Sequence, residues 1–306
     1  MGLRIKTNIS SINAQRNLGI NTRSLQSTMR KLSSGERINR AADDAAGLAV
    51  SENLRADLRS MSVAKRNSSD GISLVQTAEG GLVEISSMLV RLRELSVQAA
   101  SDTIGNRERE FLDKEFVALK DEIDRIASTT EFNGTRLLIG NREVPDELST
   151  GANTFPLEIQ VAKDYYEGAD NIEQRNQVNI IKVDFGSLNA FTSGEGSLGI
   201  GEAQEGTRVN NKVSAQRSID TLDGALFKVN EYRAYLGSIQ NRLTSSIRNI
   251  EVQMENLAEA QSRIRDTDFA SETAQMTQKG ILQQAGAAVL STARAQPQIA
   301  LSLLQG

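Results

Sequence analysis

The side chains that could do chemistry are few, and the missing types decide most. The chain holds no Cys and no His. A thiolate nucleophile, an imidazole base, a disulfide and a Cys/His metal site are therefore excluded. Carboxylates and glycines remain. "AADDAAG", residues 41–47, sets Asp43 beside Asp44. Paired carboxylates do acid–base work or hold a metal only if both point into one site. Neighbours on a helix point about 100° apart, so this pair fits the start of a helix, where acids are favoured. "GEGSLG", Gly194 to Gly199, has the three-glycine spacing of a dinucleotide loop. Such a loop needs a strand before it and an apolar helix after it. "NAFTS" and "IGEAQEG" supply neither, which leaves a flexible loop. "RLREL", 91–95, reads first as a solvated helix face. The sequons "NIS", "NSS" and "NGT" carry no weight in a Ser- and Asn-rich chain. Nothing here requires a cofactor, and an enzyme is the weakest reading.

The elements around these residues are helices. The 306 residues allow one to three domains and a sizeable core. Aromatics are 4% against 39% hydrophobic residues, with no Trp and 3 Pro, a composition for long helices in bundles. Five segments carry the helical period. Ile5, Ile9 and Ile12 open the first, and Leu18, Leu25, Met29 and Leu32 extend it until Gly35 breaks it. The second runs from 45 to 100 through Leu54, Leu58, Met61, Ile72, Val75, Leu82, Ile85, Leu89 and Leu92. "NSSDG", 67–71, resembles a turn, but the apolar face keeps phase across it, which favours one continuous helix. Leu112, Phe116, Leu119, Ile123 and Ile126 mark the third.

The fourth segment, 212–265, sets Leu222, Leu226, Val229, Leu236, Leu243, Ile247, Ile250, Met254, Leu257 and Ile264 on heptad a and d positions, interrupted by Arg233, Gln240 and Gln261. Such a helix is roughly 80 Å long and needs partner helices. "RDTDF", 265–269, ends it, with Asp268 as a candidate N-cap. The fifth segment holds Leu282, Val289, Leu290, Ile299, Leu301, Leu303 and Leu304, with Pro297 expected to weaken or bend it. Its last stretch, "QQAGAAVLSTARAQPQIALSLLQG", carries Arg294 as its one side-chain charge.

From 131 to 211 the helical period stops. "FNGTRLL", 132–138, reads as a turn at Asn133-Gly134, and "LEIQVA", 157–162, and "VNIIKVDF", 178–185, alternate as strands do. The expected fold is mainly α: long antiparallel helices in a coiled-coil or bundle rod, with a small central β-hairpin-containing region.

A net charge of -4 argues against a dedicated nucleic-acid partner. The basic residues before Glu36 are spread along an amphipathic helix rather than clustered. The tail is interrupted by Gln, Arg294 and Pro297, so stable membrane insertion is not expected. "MGLRIKTNISSINAQ" lacks the apolar core of a signal peptide, and Lys6 argues against myristoylation at Gly2.

"NISSINAQRNLG", 8–19, "LSSGERINRAADDAAGLAVSENLRADLR", 32–59, and "LQQAGAAVLSTARAQPQIALSLLQG", 282–306, resemble bacterial flagellin. So do "LVRLRELSVQAAS", "EIDRIASTTEFNGTRLL", "YLGSIQNRL" and "RIRDTDFASE", in collinear order over both terminal regions. The resemblance implies a filament subunit for motility, exported unfolded by the flagellar type III system. It implies an inner tube domain from 1–44 with 266–306, an outer tube rod from 45–140 with 205–265, and a short variable region, 141–204, capping the rod. Filament-core assembly then falls to Ile5, Ile9, Ile12, Leu18, Leu282, Val289, Leu290, Ile299, Leu301, Leu303 and Leu304. The ends are expected to be mostly disordered before assembly, because alone they do not offset their ordering entropy.

Implied partners are further copies of the chain, the hook–filament junction proteins, the filament cap and an export chaperone. A host flagellin-sensing Toll-like receptor is a further one, reading Arg91, Leu95, Gln98 and Glu115, a surface also suited to subunit packing. Val90 stands where a Gln is common in recognised flagellins. The implied location is the extracellular filament, with a sheathed or periplasmic filament left open. Arg294 either faces a central channel or pairs with an acid on a neighbour. Two other readings compete: a hook–filament junction protein, and a secreted coiled-coil effector that acts on membranes.

Overall fold

The computed structural model describes residues 8–141, 155–163, 179–194, 196–202 and 206–304, with side chains described as far as 295. Its elements are α1 (Ile9–Ser34), α2 (Ala45–Ala99), α3 (Asn106–Thr129), β1 (Glu131–Phe132), β2 (Thr135–Arg136), β3 (Leu157–Gln160), β4 (Ile180–Val183), α4 (Lys212–Arg265) and α5 (Phe269–Leu304). They form two compact units, 1–58 with 255–306, and 59–254.

The helix ends obey local chemistry. Asn8 caps α1, its side-chain oxygen accepting from Ser11 N at 3.0 Å. Gly35 closes α1 at φ 73°, a left-handed conformation that costs a glycine little. Asp44 accepts from Gly47 N at 2.8 Å at the head of α2, and Asp43 accepts from Arg40 N at 3.0 Å just before it. The adjacent acids are thus helix-start residues. Asp268 caps α5 by accepting from Ala270 N at 2.9 Å.

In the unit 59–254 the core is built from Val75, Leu82, Ile85, Leu89 and Leu92 of α2, Phe116 and Ile123 of α3, and Leu222, Val229, Leu236 and Leu243 of α4, all fully buried. The seam of α4 differs in part from its sequence pattern. One heptad row is buried as expected, Leu222 through Ile250. The other buried row is Ser218, Ala225 and Ile239, while Leu226, Arg233, Gln240 and Ile247 are only half-buried. Small Ser and Ala permit close approach. The flanking row, with its Arg and Gln, is not fully buried.

α2 is continuous through "NSSDG". That stretch is where the β3–β4 hairpin rests. Asn67 Nδ2 donates to Gln160 O at 3.3 Å, and a Cβ on Gly71 would sit 2.5 Å from Ile159 Cδ1. Within the stretch that resembles a turn, Gly71 leaves the room that Ile159 of the hairpin fills. β3 and β4 pair antiparallel with Leu157 opposite Val183 and Gln160 opposite Ile180. The strand expected at 178–185 is Ile180–Val183, and Val178 lies outside the described residues. β1 and β2 form a hairpin on Asn133 and Gly134, both at positive φ (50° and 78°), the geometry an Asn-Gly turn favours.

The glycine-rich segment is a loop, as expected, but a packed one. Leu198 N donates to Phe191 O at 3.0 Å and Gly201 N to Thr192 O at 2.8 Å, with Leu198 and Ile200 buried. Its glycines at 194, 196, 199, 201 and 206 all have positive φ. Their job is to turn the chain.

Candidate assembly surfaces

In the unit 1–58 with 255–306, α1 and α5 pack together. Asn8 Nδ2 donates to Ala293 O at 2.7 Å, Gln283 Nε2 to Thr22 Oγ1 at 3.4 Å and Lys279 Nζ to Thr28 Oγ1 at 2.8 Å. Lys31 Nζ lies 3.9 Å from Glu272. Partners on α5 descend as positions on α1 rise, so the helices run antiparallel.

Among the described side chains, the residues buried on these two helices are Ala14, Thr28, Glu272 and Ala293. They are small, polar or charged. Several large apolar side chains stay in solvent: Ile9 is 57% exposed, Ile12 49%, Leu282 45% and Val289 58%, whereas Leu25, Leu32 and Met276 are half-buried. Ile20, Met29, Phe269 and Ile281 are likewise exposed, while Leu18 and Leu290 are half-buried. A Cβ on Gly286 would meet Leu18 Cδ1 at 3.4 Å, so that leucine lies over α5. Arg294 is exposed. Ile5 lies outside the described residues, and so do the side chains of Ile299, Leu301, Leu303 and Leu304, whose backbone continues α5. Pro297 falls inside that helix and does not end it.

Between α1 and α2 the chain is tied to the end of α4. Arg37 N donates to Arg265 O at 2.6 Å and Thr267 N to Gly35 O at 3.0 Å. The Arg265 guanidinium lies between Glu36 and Glu52, at 2.9 and 2.8 Å, and these two hydrogen-bonded carboxylates raise its pKa.

Among known proteins, residues 5–143 match the bacterial flagellin N-terminal helical region and residues 219–304 the bacterial flagellin C-terminal helical region. The flagellin of Halalkalibacterium halodurans is 42% identical over 301 residues, covering 98% of this chain and 99% of that one. The chain belongs to the bacterial flagellin family. The flagellin of Bacillus subtilis is 41% identical, covering 99% of this chain and 100% of its own. A flagellar filament 33 kDa core protein of Treponema phagedenis is 41% identical, covering 98% and 99%. Among solved structures, Bacillus cereus flagellin is 32% identical with a TM-score of 0.46, covering 64% of this chain and 94% of its own. A putative flagellar hook-associated protein from Vibrio parahaemolyticus, 13% identical with a TM-score of 0.55, covers 73% and 100% and shares the fold alone.

This flagellin is a structural subunit that polymerises into the flagellar filament, an extracellular part of the flagellum, and it is not an enzyme. Among the described residues no helix is long and apolar enough to cross a membrane.

The flagellin's α2–α3 face carries the second set of residues read from sequence. Arg91 Nε and Nη2 donate to Glu115 Oε1 at 3.0 and 2.8 Å, and Nη1 donates to Glu94 at 3.0 Å. Both carboxylates raise the Arg91 pKa, Glu115 the more. Gln98 is exposed beside them, whereas Leu95 is 1% exposed and belongs to the core. The structure therefore joins Arg91 and Glu115 directly and sets Leu95 beneath the surface.

A polar stripe on α3 was not singled out from sequence. Arg109 donates to Ala99 O and Ser101 O at 2.8 and 2.9 Å, closing the α2–α3 turn. Asp113 accepts from Arg208 and from Val209 N. Lys120 donates to the carbonyls of Glu202 and Thr207. Asp124 accepts from Thr192 N and Oγ1, each at 2.8 Å. Together the last three fasten the 186–209 segment onto α3. Burial pushes the Lys120 pKa down to about 8, against the raising pull of Asp124.

Proposed function

We propose that the exposed apolar faces of α1 and α5 are the contact by which this flagellin builds the core of its filament. The observation that supports this is the burial of the pair: its fully buried side chains, among those described, are small, polar or charged, Leu18, Leu25, Leu32, Met276 and Leu290 are half-buried, and Ile9, Ile12, Leu282 and Val289 lie outside. A head-to-tail contact that does not close propagates as a helical filament. Covering such faces yields roughly 25 cal/mol per Å² of apolar area. Ile5, Leu18, Leu290, Ile299, Leu301, Leu303 and Leu304 join this set on sequence grounds, with 1–44 and 266–306 as the inner tube, 45–140 and 205–265 as the outer rod, and 141–204 as the variable cap. Export as an unfolded chain by the flagellar type III system, with a chaperone, fits ends that bury so little within one chain. The junction proteins and the filament cap would meet the same terminal helices.

Purified monomer is expected to polymerise onto filament seeds, and a chain lacking residues 283–306 to fail. Filaments from the truncated chain would sink the proposal. The Arg91–Glu115 pair, with Gln98 beside it, is the outer surface we assign to subunit packing and to a host flagellin-sensing Toll-like receptor. Receptor signalling by Arg91→Ala monomer at native strength would remove the second assignment.

A further inference from the structure

Pro297 presents a problem inside α5. A proline has no N–H, so the carbonyl four residues earlier loses its helical donor. That carbonyl belongs to Ala293. An unpaired backbone carbonyl at a helix–helix contact is unfavourable and must find another donor. Ala293 is 9% exposed, and its oxygen accepts from Asn8 Nδ2 at 2.7 Å. The other end of the same amide is also engaged, since Asn8 Oδ1 accepts from Ser11 N at 3.0 Å.

We infer that Asn8 is the positioning residue that sets the register of the assembly pair, by fitting its amide between the head of α1 and the carbonyl that Pro297 leaves open on α5. The device is specific in a way that apolar contacts are not. Small Ala contacts permit several registers along a helix, and the long Gln283 and Lys279 side chains that reach Thr22 and Thr28 can follow a shift. A short amide bonded to one open carbonyl selects a single register, because sliding leaves both unpaired. Here the open carbonyl occurs where proline occurs, four residues after Ala293. Only the register that brings Asn8 opposite Ala293 satisfies it. The geometry also requires an amide: the oxygen must accept at one end while the nitrogen donates at the other. The inference rests on α1 and α5 being the assembly pair.

Two measurements on the full chain test it. The first compares critical concentrations for seeded polymerisation. Asn8→Asp keeps a good N-cap but has no donor for Ala293 O. It is expected to raise the critical concentration about threefold to tenfold, the value of one hydrogen bond. Pro297→Ala restores an N–H to the Ala293 carbonyl, so adding Asn8→Asp to Pro297→Ala should change little. An unchanged critical concentration for Asn8→Asp overturns the inference, and so does an equal rise in both backgrounds. The second uses native filaments, independent of any variant. Solid-state NMR should show a dipolar contact between Asn8 Nδ2 and the Ala293 carbonyl carbon. Its absence overturns the clamp while leaving the filament reading standing, because the filaments measured have already formed.

Discussion

At the scale of single residues, the deciding fact in the unit 59–254 is a fully buried lysine. Lys120 supplies its ammonium hydrogens to backbone carbonyls of the 200–207 segment. Replacing it by Met leaves those acceptors without their donor and should cost about 1–3 kcal/mol, read by urea unfolding of the monomer. The pH dependence has a definite sign. The folded lysine releases its proton near pH 8, whereas its ordinary value is 10.5. Between those values the unfolded chain binds more protons, so this group's contribution to stability rises with pH. The wild type should gain stability relative to Lys120→Met from pH 7.5 to pH 10. A loss over that range would contradict the burial account. Lys120 and Asp113 were not legible in the sequence, because charges at helical spacing look the same whether they face water or a folded loop. Gly35, Asp44 and Asp268 were legible, because capping depends on residues within one turn.

At the scale of elements, the helices were legible because their apolar periods are long and in phase. Even the break-like "NSSDG" yielded to phase. What the period could not give was the identity of a neighbour. The second buried row of α4 runs through Ser218, Ala225 and Ile239, and small residues carry little weight in a hydrophobic pattern. Likewise, the sequence marks Gly71 as weak for a helix but not why. The reason is Ile159 on β3. Gly71→Val should crowd that contact at a cost of about 1–3 kcal/mol. Hydrogen exchange should then show lost protection in Leu157–Gln160 and Ile180–Val183, with α3 unaffected. Retained protection of the hairpin would mean that Gly71 is not the seat on which it rests.

At the scale of the whole molecule, the proposed assembly role of the exposed apolar faces on α1 and α5 connects the fold to the filament. The sequence made these faces visible as amphipathic ends, the C-terminal one with little charge. It could not reveal that Ala14, Thr28, Glu272 and Ala293 are buried while Ile9, Ile12, Leu282 and Val289 stay outward, since burial by a partner copy and burial by one's own helix leave the same pattern. Val289, 58% exposed in the single chain, separates the two. A charge there costs the monomer little but would be buried without a partner in the assembled core. The most direct test is therefore the critical concentration of Val289→Asp in seeded polymerisation, with circular dichroism confirming a native monomer. The account predicts a rise of at least about tenfold, the factor given by ~1.4 kcal/mol, with the monomer spectrum unchanged. Polymerisation at the wild-type critical concentration would contradict it.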